Sequence, residues 1–377
     1  MKYYTKIALQ HLAMGIIIPI SIVWKTQNGL SVTEAVLTES IVLLVTAIAD
    51  LPAGFIANSI NNKRSLVVGA FMHLIGVILL LFGGSLTIFI LAAICTGIAW
   101  AFVSGADEAY LHDDYIEDKS LYRKHFSTVT IVDEVFTIVG MLLTSMLISL
   151  DVNLRTLFVL ASVLLFTHFL YTWIFLPVSR AKLPSTHPVN LTSTFSLTIL
   201  KNKKVMALLP LMIAFAVIYE AGRPLWQPQL QNLGVNIASF GLVFALFKLS
   251  SIGGSLLSRG RYFKKRDLIL IFMIMLVSLV SFGLPFKIIG IVALCVYLFT
   301  ENYFRVYMST VLNESIVENR AAVLSFGSVI RNATGALIIA GTGLISSTSI
   351  LLALFVLAII KLPAIVYTLR AYKVSAQ

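Results

Sequence analysis

The sequence predicts an all-α polytopic membrane protein in which twelve transmembrane helices form two pseudo-symmetric six-helix bundles. The first observation is composition: 58% of the 377 residues are hydrophobic and 12% are charged. A soluble domain has about 25% charged residues. The second is that the apolar residues fall into runs of about 20, the length that crosses a bilayer core as a helix. The third is one polar segment that divides these runs into six and six.

The apolar runs are predicted to be helices because an open strand would leave its backbone polar groups unsatisfied in lipid. The first run follows Lys2 and Lys6 and superficially resembles a signal peptide. It lacks a small-x-small cleavage site and is long enough to span, so we expect it to be retained. In chain order the predicted spans cover residues 6–26, 35–57, 65–83, 87–110, 127–149, 156–177, 205–222, 237–258, 267–285, 288–312, 322–343 and 349–370.

Basic residues predict the orientation of these spans. With both termini in the cytoplasm, most of the 28 lysines and arginines lie on the cytoplasmic side, as in multi-pass inner-membrane proteins. This asymmetry explains the net charge of +11, so no nucleic-acid partner is predicted. Cys95 and Cys295 both lie inside apolar runs, which favours neither a disulfide framework nor a metal site.

A polar segment at 179–204 is predicted to be a cytoplasmic linker between an N-terminal bundle, 1–178, and a C-terminal bundle, 205–377. The two halves look like distant repeats. Gly54 followed by a basic pair is echoed by Gly254 followed by a basic triplet, in each case between the second and third spans of a half. Two six-helix repeats around a midplane site are a known transporter architecture.

The stretch from Asp50 to Arg64, DLPAGFIANSINNKR, resembles the loop 2–3 signature of the major facilitator superfamily, with Asn58 in place of its Asp and Asn62 in place of its second Gly. A second stretch, SGADEAYLHDD from Ser104 to Asp114, looks like the end of helix 4 in bacterial drug-export-like members. The resemblance implies a transporter in which spans 1, 4, 7 and 10 line the solute cavity. It also implies a cytoplasmic latch at Asp50, Gly54, Asn58, Lys63, Arg64, Asp113 and Asp114. For Asp50 a purely structural contact is the favoured interpretation.

Ionisable residues inside the spans are candidates for function, because each costs at least about 2.5–3.5 kcal/mol at the bilayer centre. In span 10, Glu301 and Arg305 are four residues apart and can pair on one helix face, beside Asn302. This predicts a coupling carboxylate held by an arginine; the alternative is a salt bridge that only neutralises itself. Lys248 in span 8 could pair with Glu301 or bind an anionic group of the solute, or it could simply snorkel.

Spans 5 and 11 carry polar and charged residues at repeat-equivalent positions, Asp133 and Glu134 in one and Arg331 and Asn332 in the other. They predict a charge pair that is made or broken during transport; the alternative is a set of partly hydrated helix ends. Adjacent helical residues point about 100° apart. Only one of Asp133 and Glu134 can therefore face a given partner, and the sequence leaves open which one.

His11 in span 1 is a candidate proton carrier, because an unperturbed histidine titrates near physiological pH; a simple hydrogen-bonding role is the alternative. Trp100 in span 4 is predicted to form an aromatic wall of the cavity, unless it only packs. Glu220 and Arg223, three residues apart, predict an extracellular gate, against ordinary interfacial anchoring. Three residues in outer spans are predicted to be structural: His73, His168 and Lys361.

The sequence therefore predicts a secondary active transporter that moves a small amphiphilic or zwitterionic solute by alternating access. Proton-coupled efflux is the favoured mode. Proton-coupled uptake of a nutrient such as a peptide or metabolite is the first alternative, and a non-transporting membrane receptor is the second. The sequence has no phosphate-binding Gly-Lys-Ser/Thr motif, metal cluster or nucleophile–base arrangement, so ATP-driven transport, enzymatic activity and a cofactor are not predicted. The expected partners are the solute, protons and the lipid bilayer, with the chain as a monomer.

Overall fold

The computed structural model describes residues 2–59, 61–111, 122–177, 203–220, 222–258, 265–315 and 320–375. Every regular element in these ranges is a helix, which confirms the all-α prediction. The α-helices, in chain order, are α1 (Lys2–Ile17), α2 (Ser21–Gln27), α3 (Val32–Ser59), α4 (Asn62–Leu81), α5 (Leu86–Ala109), α6 (Tyr122–Ser149), α7 (Leu154–Phe175), α8 (Lys203–Tyr219), α9 (Trp226–Asn232), α10 (Phe240–Leu257), α11 (Lys265–Phe282), α12 (Lys287–Ser315), α13 (Arg320–Ser346) and α14 (Ile350–Ser375).

Each predicted span coincides with one of these helices or with a helix pair. In the described ranges, ten helices are long and apolar enough to cross a membrane, and the bent pair α1–α2 raises the number to eleven. The remaining span coincides with α11, which begins with three charged residues. Large apolar side chains such as Ile288 and Leu337 are 77% and 75% exposed. Such helix surfaces suit lipid rather than water.

Two of the predicted spans differ from the observed helices. The first span is not one helix, because α1 and α2 meet at an angle of 48°. Pro19 lies in this break, and a proline has no amide hydrogen to continue the helical ladder. The seventh span was expected to reach residue 222, whereas α8 ends at Tyr219. Gly222 follows with a left-handed φ of 60°.

The chain divides into two compact units. Unit 1 consists of Met1–Leu30, Ile41–Phe195 and Ile237–Leu242, and unit 2 consists of Ser31–Ser40, Ser196–Asn236 and Val243–Gln377. Most of the predicted linker, 179–204, lies outside the described residues. Its role therefore stays a prediction.

In unit 1, a pair of glycines lets α1 approach α6 closely. A Cβ atom on Gly15 would overlap the carbonyl oxygen of Thr137, and one on Gly140 would overlap that of Leu12. Only residues without a side chain permit two helix backbones to come this near, as small residues do between membrane helices. The close approach fixes the register between the two helices.

In unit 2, a single glycine sets the approach of α10 to α12. A Cβ atom on Gly254 would overlap the carbonyl oxygen of Phe299, two residues before Glu301. A Cβ atom on the neighbouring Gly253 would lie 3.4 Å from the Phe299 ring, which is ordinary van der Waals contact. Gly254 therefore has no room for a side chain, whereas Gly253 has room for a methyl group.

We expect Gly254→Ala to lower the free energy of unfolding by about 1–3 kcal/mol, the usual range for overpacking a close contact. Gly253→Ala is the matched control and is expected to be nearly neutral. Tryptophan fluorescence during thermal unfolding of the purified protein measures both. Equal melting temperatures for the two variants would contradict the close approach of α10 and α12.

Candidate functional site

Two predicted site residues meet in unit 1. His11 Nδ1 on α1 lies 2.6 Å from Asp133 Oδ1 on α6, and both side chains are partly exposed. Thr137 Oγ1 donates to Asp133 Oδ1 over 3.3 Å and lies 3.4 Å from the same histidine nitrogen. Asp133 rather than Glu134 is thus the carboxylate that contacts His11. A histidine beside a carboxylate is a group that can hold a proton.

Unit 2 contains a deeply buried carboxylate. Glu301 on α12 is 1% exposed, and it lies about midway along a helix of 29 residues. Its Oε2 accepts a hydrogen bond from Asn302 Nδ2 at 3.1 Å, so these two predicted residues are in contact. Its Oε1 is buried and has no hydrogen-bond partner among the described residues. Such an unsatisfied acceptor is rare in folded proteins and calls for an explanation.

The predicted ion pair between Glu301 and Arg305 is not formed. Both residues do lie on one side of α12, but the longer arginine side chain extends to α8. Its Nη1 lies 3.5 Å from Tyr219 Oη, and its guanidinium carbon lies 5.7 Å from the centre of that ring. A planar guanidinium stacks well on an aromatic ring. The contact with Tyr219 therefore takes the place of the predicted ion pair with Glu301.

Arg223 lies against the same tyrosine ring. Its guanidinium carbon is 4.9 Å from the centre of the Tyr219 ring. Since Arg305 also reaches this ring, the two guanidinium carbons lie at most about 11 Å apart, and the two positive charges repel each other. The side chains of both arginines are exposed.

The predicted contact between Glu220 and Arg223 depended on a continuous helix, which ends at Tyr219. Glu220 is 8% exposed, and its Oε1 accepts a hydrogen bond of 2.9 Å from the backbone nitrogen of Gly222. The carboxylate therefore supports the left-handed turn at Gly222. The role of this pair as an extracellular gate stays a prediction.

Lys361 on α14 caps the end of α8. This lysine is 0% exposed, and its Nζ donates to the carbonyl oxygens of Val217 and Ile218, both at 2.8 Å, and to that of Glu220. The last carbonyls of a helix lack partners within the helix and carry its negative dipole end. An ammonium group satisfies both needs, which fits the structural role predicted for this residue. The ring of Tyr297 on α12 lies 5.9 Å from the same nitrogen.

The remaining cavity candidates lie on separate helices. Trp100 is half-buried and packs edge-on against the buried His73, with 4.8 Å between ring centres. Lys248 on α10 and Asn332 on α13 are half-buried, whereas Arg331 is exposed. Their predicted roles in a solute cavity stay predictions.

The predicted latch is described only in part. Asp50 Oδ1 accepts from Ser104 Oγ at 3.5 Å, and both residues belong to unit 1. Lys63 is half-buried and Arg64 is exposed, in the first turn of α4. Gly54 and Asn58 lie in the last two turns of α3, where only their backbone is described, and Asp113 and Asp114 lie outside the described residues altogether. The latch therefore stays a prediction.

Sequence reasoning missed an ion pair in unit 1 between a buried lysine and a half-buried aspartate. Lys6 on α1 is 0% exposed, and its Nζ lies 2.7 Å and 2.8 Å from the two carboxylate oxygens of Asp107 on α5. Tyr3 Oη also donates to Asp107 Oδ1 at 2.9 Å. A signal was available, because Asp107 is an ionisable residue inside the fourth predicted span.

The chain matches one family model and several solved structures. A model of the Major Facilitator Superfamily matches residues 7–340. A structure of the nucleoside transporter NupG has a TM-score of 0.78 at 12% identity, covering 98% of each chain. A structure of a mutant form of the peptide transporter POT has a TM-score of 0.77 at 12% identity, covering 99% of this chain and 93% of that one.

A third similar structure is a POT family transporter in complex with 5-aminolevulinic acid. Its TM-score is 0.73 at 13% identity, and the match covers 98% of this chain and 94% of that one. At such identities the likeness shows the fold alone. No curated protein matches the chain significantly in sequence.

Proposed function

We propose that this chain, which belongs to the Major Facilitator Superfamily, is a proton-coupled secondary transporter of a small zwitterionic or weakly charged solute. Family membership and fold make it a multi-pass membrane protein with a transporter architecture. Proton coupling, the class of solute and the drug-export-like branch go further and belong to the proposal. So do the inner-membrane location, the cytoplasmic termini and the monomeric state.

The observation that carries the proposal is the environment of Glu301. Burying an ionised carboxylate without full hydrogen bonding is costly, and the cost is greatest inside a membrane. Glu301 is 1% exposed and Oε1 has no hydrogen-bond donor among the described residues. A carboxylate in this position can be held neutral by a proton and ionised again when its surroundings change. That cycle is what proton coupling requires.

The contact between His11 and Asp133 supports the same mechanism from unit 1. The two side chains share a short polar contact of 2.6 Å and are 20% and 33% exposed, so a proton can reach them. α1 corresponds to the first predicted span and α12 to the tenth, and the family resemblance implies that these spans line the solute cavity.

The solute class follows from the signs of the charged candidates. The positive candidates are Lys248, Arg305 and Arg331, and the negative ones are Asp133, Glu134, Glu220 and Glu301. A mixed set suits a solute that carries both charges or little charge better than a lipophilic cation. Export is the direction that the sequence resemblance favours, and uptake is the alternative.

Reconstitution into liposomes with an imposed pH gradient tests the proposal. The panel comprises neutral amino acids, dipeptides, nucleosides and lipophilic cations, each with the acidic side inside or outside. Accumulation driven by an acidic interior indicates antiport and hence export, while an acidic exterior indicates symport and hence uptake. Transport that ignores the pH gradient would contradict proton coupling, and transport of lipophilic cations alone would contradict the solute class. No transport at all would favour the receptor alternative.

A further inference from the structure

We propose that Arg223 and Arg305, which both lie against the ring of Tyr219, form a subsite for a carboxylate group of the transported solute. This inference rests on the proposed transport function and names the chemistry recognised in unit 2. The guanidinium carbons lie 4.9 Å and 5.7 Å from the centre of the tyrosine ring. The two arginines come from different elements, the turn after α8 and the middle of α12.

Both guanidinium groups of this subsite contact the ring of Tyr219 rather than a carboxylate, and the charges of Glu220 and Glu301 act on Arg223 only from a longer distance. Neither arginine forms an ion pair with a carboxylate in the described part of the chain. Two like charges against one ring repel each other. An anionic group bound between them would remove that repulsion, and charges within membrane helices are normally paired.

The nearby carboxylates are engaged elsewhere or buried. Glu220 is buried and accepts a hydrogen bond from the Gly222 amide. Glu301 is 1% exposed and contacts Asn302. In contrast, Arg223 and Arg305 are both exposed residues.

The donor geometry favours a carboxylate. A guanidinium group presents five N–H donors in a planar fork, which matches the two oxygens of a carboxylate. The Tyr219 ring supplies a flat apolar surface beside these donors, which suits a carboxylate attached to an apolar or aromatic group. Phosphate shares part of this chemistry, and the experiment includes it as a separate arm.

The subsite also offers a link to the proton. Glu301 precedes Arg305 by four residues, one helical turn, so an ionised Glu301 can draw the arginine to itself. A protonated Glu301 leaves Arg305 with Tyr219 and available to the solute. Carboxylate binding at Arg305 and protonation of Glu301 therefore favour each other.

Thermal unfolding of the purified full chain, with no proton gradient, tests the subsite. The probes are phenylacetate, phenylalanine and alanyl-phenylalanine, each paired with its amide, and inorganic phosphate. The proteins are the wild type, Arg223→Gln, Arg305→Gln and Arg305→Lys, with Arg266→Gln as a control at an exposed arginine of the same unit. Melting temperatures without probe show that each variant is folded.

We expect at least one carboxylate to stabilise the wild type and the control while its amide does not. The dissociation constant of that carboxylate should rise at least tenfold in each Gln variant. Arg305→Lys keeps the charge but loses the fork, and should recover only part of the affinity. Undiminished binding in both Gln variants, no response to any carboxylate, or a response to phosphate alone would overturn the subsite. Carboxylate binding with no proton-driven transport would leave the subsite standing and overturn only the proposed function.

Discussion

In a Glu301→Gln variant, we expect an imposed pH gradient to drive no solute accumulation, while exchange of solute across the membrane continues. Glutamine has nearly the same shape as glutamate and can still contact Asn302, but it cannot bind or release a proton. One proton moving down a gradient equivalent to 100 mV releases about 2.3 kcal/mol, which sustains a solute concentration gradient of roughly fifty-fold. Accumulation in the variant should therefore fall from a ratio of that order to about one.

Glu34→Gln is the matched control for this experiment. Glu34 is also a glutamate in unit 2, but its Oε2 accepts from the backbone nitrogen of Ser31 at the start of α3. Glutamine preserves that capping interaction. The control should keep full proton-driven accumulation. If Glu301→Gln accumulates solute as well as the control does, the assignment of Glu301 to coupling is wrong.

An Asp107→Asn variant should lose about 3–5 kcal/mol of stability, the range found when one partner of a buried ion pair is removed. Lys6 is 0% exposed and both oxygens of Asp107 lie within 2.8 Å of its Nζ. The substitution leaves a buried ammonium group facing a neutral amide. Thermal unfolding of the purified protein should show a large drop in melting temperature.

Two further variants separate the ion pair from other causes. Asp151→Asn replaces an exposed aspartate with a φ of 60° in a turn, where asparagine is equally tolerated, and should be neutral. A Lys6→Met and Asp107→Leu double variant removes both charges and should recover most of the lost stability, because apolar pairs of similar size often replace buried ion pairs. A double variant no more stable than Asp107→Asn would show that the charges themselves are not the cause.

The helices could be predicted from the sequence because the membrane imposes a local rule, about 20 apolar residues per span. Where a single residue alters the backbone, that rule is insufficient. Pro19 divides the first span into α1 and α2, and Gly222 follows the early end of α8. Both residues were visible in the sequence, but their effect depends on whether neighbouring helices satisfy the freed backbone groups.

The site was harder to predict because its contacts join distant parts of the chain. His11 and Asp133 were both identified, yet their contact depends on the register that Gly15 and Gly140 permit between α1 and α6. The spacing of Glu301 and Arg305 allowed an ion pair, but Arg305 contacts Tyr219 on α8 instead. Sequence spacing shows which pairs are possible within one helix and cannot show competition from another helix.

The hydrogen bonds that Lys361 donates to the end of α8 restrict where this helix can bend. Its ammonium group fastens the last carbonyls of α8 to α14, so the C-terminal end of α8 and the middle of α14 should travel as one rigid body. Pro210 lies inside α8 and lacks an amide hydrogen, which makes it the natural pivot of that helix. Bending there would swing the segment before Pro210 and keep Tyr219 stationary relative to α14. The Tyr219 ring, which both guanidinium groups contact, would then keep its position beside α14 throughout a transport cycle.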